Sequence, residues 1–291
     1  MGVSASSQVS TLSRLLGRNR PHRKTRWGVH LALISVCILV SLPAFYALLV
    51  ATMTRDQAFQ YPPRLMPGTD FFNNVRTLID QGFGRMFVNT AIAAFVVVVG
   101  KTITSMLAGL AFVYFRFPFK WFIFFFVLLT LLMPTEIIIV PLFRLMAELQ
   151  WGNTRYALTV PFLASATGAF LFRQHFSNIP RELAEAAQID GASPVRFMFT
   201  ILVPMSWNVI GALAVIQFIY MWNQYLWPVI IIKDPAEQLI QVGVVNAFAV
   251  GAQTDYGVVM AAAVIASLPP LLVFVLLQRQ FMSGFALTRD K

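Results

Sequence analysis

The chain has 291 residues, of which 58% are hydrophobic and only 12% are charged, and 27 of them are Phe. This composition excludes an ordinary soluble globule, whose surface needs roughly a quarter of its residues charged. The formal net charge of +10 does not point to nucleic acid, because the basic tail adjoins an apolar segment and carries no nucleic-acid-reading motif; anionic membrane lipid is the better explanation.

Six apolar windows are long enough to cross a bilayer, which takes roughly 20 residues per helix. Several contain proline, so we expect tilted or kinked spans. The sequence predicts an all-α membrane protein with six transmembrane helices in one domain at 29–285, after a basic tail at 1–28 and before a C-terminal segment at 286–291. The windows cover about residues 29–52, 86–114, 119–146, 155–176, 200–232 and 257–284.

The distribution of Lys and Arg sets the expected orientation, because cytoplasmic loops retain positive charge during insertion. Basic residues concentrate in the N-terminal tail, the second loop, the fourth loop and the C-terminus, and they are sparser in the intervening loops. We therefore expect both termini to be cytoplasmic. The basic residues of the second and fourth loops are Arg116, Lys120, Arg173, Arg181 and Arg196.

Two longer segments fall on the opposite, external side. Residues 53–85 carry Pro, Gly and Asn turn signals and a short interfacial helix that we expect to start near Asp70. Residues 233–256 are rich in acidic side chains near their start and end. Either surface could receive an external partner.

The cytoplasmic loop at about 177–199 contains "ELAEAAQIDGASP". Its composition predicts two helices and a corner: Asn178 and Pro180 mark an entrance, Gly191 fits a left-handed position past the first helix, and Ser193 with Pro194 starts the second. We expect Leu183, Ala186, Ala187 and Ile189 to form a small apolar surface, with Glu182, Glu185 and Asp190 as the polar residues.

This loop resembles the EAA loop of bacterial ATP-binding-cassette importer permeases. The match runs from Glu185 through Pro204, with Val203 where that family usually has Leu. The resemblance implies that the loop docks in a groove on a cytoplasmic ATPase, with Glu185 as a polar contact and Gly191 as the bend. The implied coupling residues are Glu182, Glu185, Ala186, Ala187, Asp190, Gly191, Ala192 and Pro194.

Other stretches, such as "LASATGAFLFRQHF" and "FIYMWNQYLWPVIIIKD", resemble carbohydrate-importer permeases of the maltose-transporter class, and within it the second permease of sn-glycerol-3-phosphate importers. The resemblance implies a multi-pass subunit of the bacterial plasma membrane. It also implies three kinds of partner: a second permease, two ATPase subunits that use ATP and Mg, and an extracytoplasmic substrate-binding protein. This chain is expected to need no cofactor and no metal, and to act on a glycerol phosphate or, alternatively, an unphosphorylated sugar.

Polar and aromatic residues inside the predicted spans are the candidates for the translocation pathway, since intramembrane polar groups face protein or water. Interhelical hydrogen bonding remains an alternative for the amides, and an interfacial aromatic belt for the Tyr and Trp side chains. For Lys101, the positive charge inside the second window, the alternatives are attraction of a phosphate, snorkelling, or pairing with Glu136. The candidates are Lys101, Tyr220, Trp222, Asn223, Gln224 and Tyr225.

Two other functions are less well supported by the residues. "FVVVVGKT" at 95–102 ends like a phosphate-binding loop, but backbone amides in a spanning helix are already bonded, so we expect no ATP binding by this chain. An enzyme would need converging catalytic groups, whereas the three histidines are dispersed. An ion-coupled secondary transporter remains possible, although Glu136 is the sole clear intramembrane carboxylate.

Overall fold

The computed structural model describes residues 27–249 and 254–286. The predicted basic tail and C-terminal segment therefore fall almost wholly outside the described residues. The chain divides into two units, residues 1–45 and 46–291. The helices are α1 (Trp27–Val50), α2 (Arg55–Ala58), α3 (Phe71–Asp80), α4 (Phe83–Tyr114), α5 (Lys120–Thr130), α6 (Thr135–Glu148), α7 (Arg155–Thr159), α8 (Ala166–Ser177), α9 (Arg181–Ile189), α10 (Pro194–Phe197), α11 (Val203–Met205), α12 (Trp207–Trp222), α13 (Leu226–Ile231), α14 (Ile240–Ala249) and α15 (Tyr256–Ala286).

Three of the six apolar windows are continuous helices. Among the described residues α1, α4 and α15 are long and apolar enough, by length and composition, to cross a membrane. A fourth candidate span is formed by two helical pieces, Pro194–Met205 and α12, which meet at an angle of 81°. The described residues contain no strand, so the prediction of an all-α fold is confirmed.

The other three windows are interrupted rather than continuous. The third splits into α5 and α6 around residues 131–134, and the fourth splits into α7, a 3-10 turn and α8. The fifth contains α11, α12 and α13, with a break at 223–225. Pro134 lies at the N-cap of α6 with an extended backbone (φ −60°, ψ 136°), which is consistent with the disfavouring of helical geometry around proline. The expectation of kinked spans is thus confirmed for these three windows, where the chain breaks completely, whereas Pro43 in α1 and Pro269 and Pro270 in α15 lie inside continuous helices.

The second unit packs around α4 and α12. Helix α4 lies against α8 and α12, and α12 lies against α15. Gly109 lets α4 approach α8 closely, since a Cβ there would lie 2.7 Å from the Cβ of Phe172. Small residues at helix crossings allow this close approach in membrane proteins, where packing drives association.

The segment after α1 is held in place by the buried side-chain amide of Asn74. Asn74, on α3, donates from Nδ2 to the carbonyl oxygens of Ala51 and Met53, both at 3.0 Å. The helix expected near Asp70 is α3, which begins at Phe71. These bonds therefore hold α3 against the residues that follow α1.

Candidate functional site

The candidate coupling loop consists of α9, a corner and α10. Gly191 has φ +68°, the left-handed conformation that suits glycine. Beside it, Ala192 N donates to Ala187 O at 2.9 Å, as in a Schellman helix end. Ser193 Oγ accepts from Arg196 N at 3.3 Å and caps α10. The two helices and the corner predicted from the sequence are confirmed as local structure.

The entrance to the loop differs from the expectation. Asn178 is the C-cap of α8, with its Nδ2 donating to Gln174 O at 3.0 Å. Pro180 occupies the N-cap of α9, without a side-chain capping bond, and Arg181 is the first helical residue. Asn178 therefore does not cap α9, because its amide is bonded to the end of α8. Pro180 lies at the N-cap, one residue before the first helical position.

Helix α9 buries a different face from the one expected. Ala184 and Ala187 are the buried residues and pack into a cluster with Leu110, Phe176 and Phe197. Ala186 is exposed, and Ile189 is 86% exposed. The pairing of Ala186 with Ala187 in one apolar surface was thus wrong, because adjacent residues of a helix differ by about 100° in direction, and only Ala187 faces the cluster. The outward residues are Glu182, Leu183, Glu185, Ala186, Ile189 and Asp190.

The corner contacts the end of α4. Ala192, Pro194 and Tyr114 line a cavity of about 260 Å³ between the loop and α4. The ring of Tyr114 packs edge-on against that of Phe197 with centroids 5.2 Å apart. The loop is therefore joined to a long helix of its own chain through aromatic packing.

Beyond α10 the chain runs into the bent span. A π-helical turn, Met198–Leu202, leads to α11, and the buried Ser206 donates from Oγ to Leu202 O at 2.6 Å. Helix α12 then departs at 81° to the preceding piece. A short helical connection thus links the corner to α12.

A cavity of about 580 Å³ lies where the broken helices meet. Its lining includes Leu131 and Met133 from the α5–α6 break, Ala164 from the residues before α8, and Gln224 from the α12–α13 break. Helix breaks leave backbone groups available at membrane depth, where they are tolerated only next to protein or a water-filled cavity. Three interrupted windows therefore border one space.

Lys101 is in the wall of this cavity, in the middle of α4. It is 7% exposed, and its Nζ donates to Gln217 Oε1 at 2.6 Å. The same nitrogen is 4.9 Å from the ring centroid of Tyr220. Among the described side chains no carboxylate forms an ion pair with it; the side chain of Glu136, the expected partner, is outside the described part.

The remaining pathway candidates separate into two groups. Tyr220 and Gln224 line the cavity with Lys101. Trp222 is fully buried and donates from Nε1 to Ala266 O at 2.8 Å, so it fastens α12 to α15. Asn223 and Tyr225, at the break, are outside the cavity lining; Asn223 Oδ1 accepts from Gln241 Nε2 at 3.1 Å. Gln217 was not among the residues predicted from the sequence. The one sequence feature that could have indicated it is that it is an amide side chain inside an apolar window.

The loop after α13, which was expected on the external side, is fixed to α4 and α7. Asn89 Nδ2 donates to Ala236 O at 2.9 Å and to Gln238 O at 3.2 Å. Arg155 donates from Nε to Glu237 Oε2 at 2.6 Å. These contacts hold the loop in a fixed position, and the resulting surface, which we call the platform, carries both a positive and a negative side chain. Among the residues described, no group of His, Cys, Asp and Glu is arranged to hold a metal ion.

Comparison with known proteins agrees with the resemblance. Residues 101–285 match the family model for the binding-protein-dependent transport system inner membrane component. The sn-glycerol-3-phosphate transport system permease protein UgpE of Pectobacterium atrosepticum is 41% identical over 263 residues, 88% of this chain and 94% of the relative. UgpE of Brucella melitensis is 40% identical over 268 residues, 89% of this chain and 95% of the relative.

Solved structures agree on the fold. A bacterial ABC transporter involved in the import of the acidic polysaccharide alginate superimposes with a TM-score of 0.76 at 20% identity, over 97% of this chain and 99% of that chain. A bacterial alginate ABC transporter in complex with an alginate pentasaccharide-bound periplasmic protein gives 0.62 at 14% identity, over 86% and 92%. The chain therefore belongs to the family of inner membrane components of binding-protein-dependent transport systems and is a multi-pass permease subunit of that family.

Proposed function

We propose that this permease carries sn-glycerol 3-phosphate or a closely related phosphorylated polyol. The similarity to UgpE proteins over most of both chains supports this substrate class. The observation that carries the proposal is the buried Lys101 ammonium in the wall of the cavity. An ammonium has three donors, and the described side chains supply it with one acceptor, Gln217.

The cavity offers a phosphorylated polyol two kinds of contact. Lys101 attracts the phosphate, because opposite unit charges about 4 Å apart gain about 4 kcal/mol at an effective dielectric constant of ~20. Tyr220 and Gln224 form no side-chain hydrogen bonds to other described residues and present a phenol and an amide to hydroxyl groups. The aromatic ring of Trp227, also in the lining, suits the carbon skeleton.

We further propose that the outward face of α9 docks on a cytoplasmic ATPase subunit, which binds ATP and Mg. Glu185 supplies the polar contact, and Leu183 with Ile189 supplies exposed apolar area. This chain pairs with a second permease, and two ATPase copies drive alternating access. The platform around Asn89 and Glu237 receives the extracytoplasmic binding protein. Both termini are then cytoplasmic, in line with the distribution of basic residues.

The test is uptake by the complete transporter in proteoliposomes, with sn-glycerol 3-phosphate and an unphosphorylated sugar offered separately. Lys101→Gln keeps a hydrogen-bonding partner for Gln217 and removes the charge. We expect it to lower kcat/KM for the phosphorylated solute at least about tenfold, given the Coulomb term above. Lys233→Gln is the matched control and should transport normally, because this exposed lysine bonds to Val229 O and lies outside the cavity lining.

Three outcomes would contradict the proposal. Unchanged kcat/KM in Lys101→Gln would remove the role of this charge. Preference of the wild-type transporter for the unphosphorylated sugar would favour a sugar permease. Uptake that persists without the ATPase subunit but stops when the ion gradient is dissipated would favour a secondary transporter.

A further inference from the structure

A second polar space lies at the C-terminal end of α4, away from the Lys101 cavity. It is a groove of about 520 Å³ between the end of α4, the start of α5, α8 and α9. Its lining includes four basic side chains, and we call it the basic groove. These side chains are Arg116, Lys120, Arg173 and Arg181.

The charges of the basic groove are unbalanced. Lys120 lies within electrostatic reach of both Arg173 and Arg116, so the cations repel one another. Among the described residues none of the four forms an ion pair. Glu185 is the one carboxylate among the lining residues, and it is exposed and outside ion-pair distance of them. Like charges held together without counter-ions form a site of high positive potential for an anion.

Two of the cations are held in place by contacts that leave hydrogen-bond donors free. The guanidinium carbon of Arg173 is 4.8 Å from the ring centroid of Trp121 and 4.4 Å from that of Phe124. Such stacking fixes the plane of the guanidinium while its N–H groups remain available to a phosphate. Lys120 Nζ donates one hydrogen bond, to Phe115 O at 2.9 Å, and keeps two donors.

The surroundings favour an amphipathic ligand over a free anion. From the groove, α5 continues with a run of exposed aromatic side chains, of which Trp121 is 66% and Phe122 is 70% exposed. A phosphate seated in the groove would place attached acyl chains along this surface, where they are covered by apolar contact. Basic pockets between membrane helices on the cytoplasmic side are suited to phospholipid head groups.

We propose that the basic groove binds the phosphodiester head group of an anionic phospholipid of the cytoplasmic leaflet. The cytoplasmic placement rests on the orientation proposed above. Because the groove includes Arg181, at the start of α9, the bound lipid holds the first turn of α9 against α5 and α8. Lipid composition then changes the position of α9. Through α9 it also changes the response of the ATPase to the binding protein.

The test uses the complete transporter in nanodiscs of phosphatidylethanolamine with increasing phosphatidylglycerol. Retained phosphatidylglycerol is counted by native mass spectrometry, and ATPase activity stimulated by the binding protein is measured in parallel. The double variant Arg116→Gln/Lys120→Gln should bind the lipid roughly 30-fold more weakly, since each basic residue near the surface contributes a factor of about five. The charge-preserving double variant Arg116→Lys/Lys120→Arg should retain it.

Arg279→Gln is the matched control, because this exposed arginine on α15 is expected on the same side and lies outside the groove. Equal lipid retention by the double glutamine variant and by wild type would overturn the proposal. So would inorganic phosphate giving the same ATPase effect in pure phosphatidylethanolamine, or loss of the ATPase subunit from the variant without any change in bound lipid. Lipid retention needs no transported solute, so this result stands apart from the outcome of the substrate test.

Discussion

Replacing Gly191 by alanine tests whether the corner between α9 and α10 depends on its backbone conformation. The residue has φ +68°, and a Cβ added there would meet no atom within 4 Å. The cost of alanine is therefore purely conformational, about 1–2 kcal/mol for an L-residue in the left-handed region. A change of this size lowers the equilibrium constant for the corner geometry roughly 5–30-fold.

The assay is the ratio of solute taken up to ATP hydrolysed, in proteoliposomes that contain the partner subunits and the binding protein. We expect Gly191→Ala to lower this ratio several-fold, with normal insertion into the membrane. Gly191→Asn should remain near wild type, because asparagine tolerates the left-handed region. Gly152→Ala is the matched control, since that glycine also has open space around it and has no positive φ. Equal ratios for the alanine and asparagine variants at residue 191 would refute the reasoning.

Three further predictions concern stability and the external platform. Gly109→Ala should lower the apparent melting temperature of the purified permease, because overpacking against α8 costs about 1–3 kcal/mol. Gly84→Ala in the same helix should not lower it, since a Cβ there meets nothing within 4 Å. Equal losses of melting temperature in the two variants would contradict the packing described. Gln217→Leu should destabilise the permease by about 1.5–3 kcal/mol, since it removes the acceptor of the buried Lys101 ammonium. Adding Lys101→Met should restore thermal stability. A double variant that is less stable than Gln217→Leu alone would count against the Lys101–Gln217 pair. Glu237→Gln should leave the melting temperature nearly unchanged, because exposed ion pairs contribute about 0–1 kcal/mol. It should weaken the affinity for the binding protein when measured at low salt. Unchanged affinity would show that this carboxylate is not part of the docking surface.

Local signals account for the parts of the fold that could be predicted from the sequence. Three of the apolar windows matched the continuous helices α1, α4 and α15, because length and hydropathy are properties of a continuous stretch. The corner at Gly191 and the cap at Ser193 were also accessible, since glycine, serine and proline impose their geometry through their own backbone and side-chain chemistry.

Contacts between distant segments could not be predicted in this way. Lys101 and Gln217 are 116 residues apart, and nothing in either window indicated that they would meet. Similarly, the composition of α9 did not show that Ala184 would face inward and Ala186 outward, because Leu110 and Phe176 on other helices select the buried face. The meeting of three helix breaks at one cavity is a property of packing, so a list of windows could not indicate it.

The 81° bend before α12 determines the direction in which motion at the corner would reach the membrane helices. A displacement along the axis of the Pro194–Met205 piece is nearly perpendicular to α12. It would therefore tilt α12 sideways about its far end instead of sliding it along its length. Since Trp222 at that far end is bonded to Ala266 on α15, the fastened end would act as a pivot, and the widest swing would fall at the end of α12 next to the Pro194–Met205 piece.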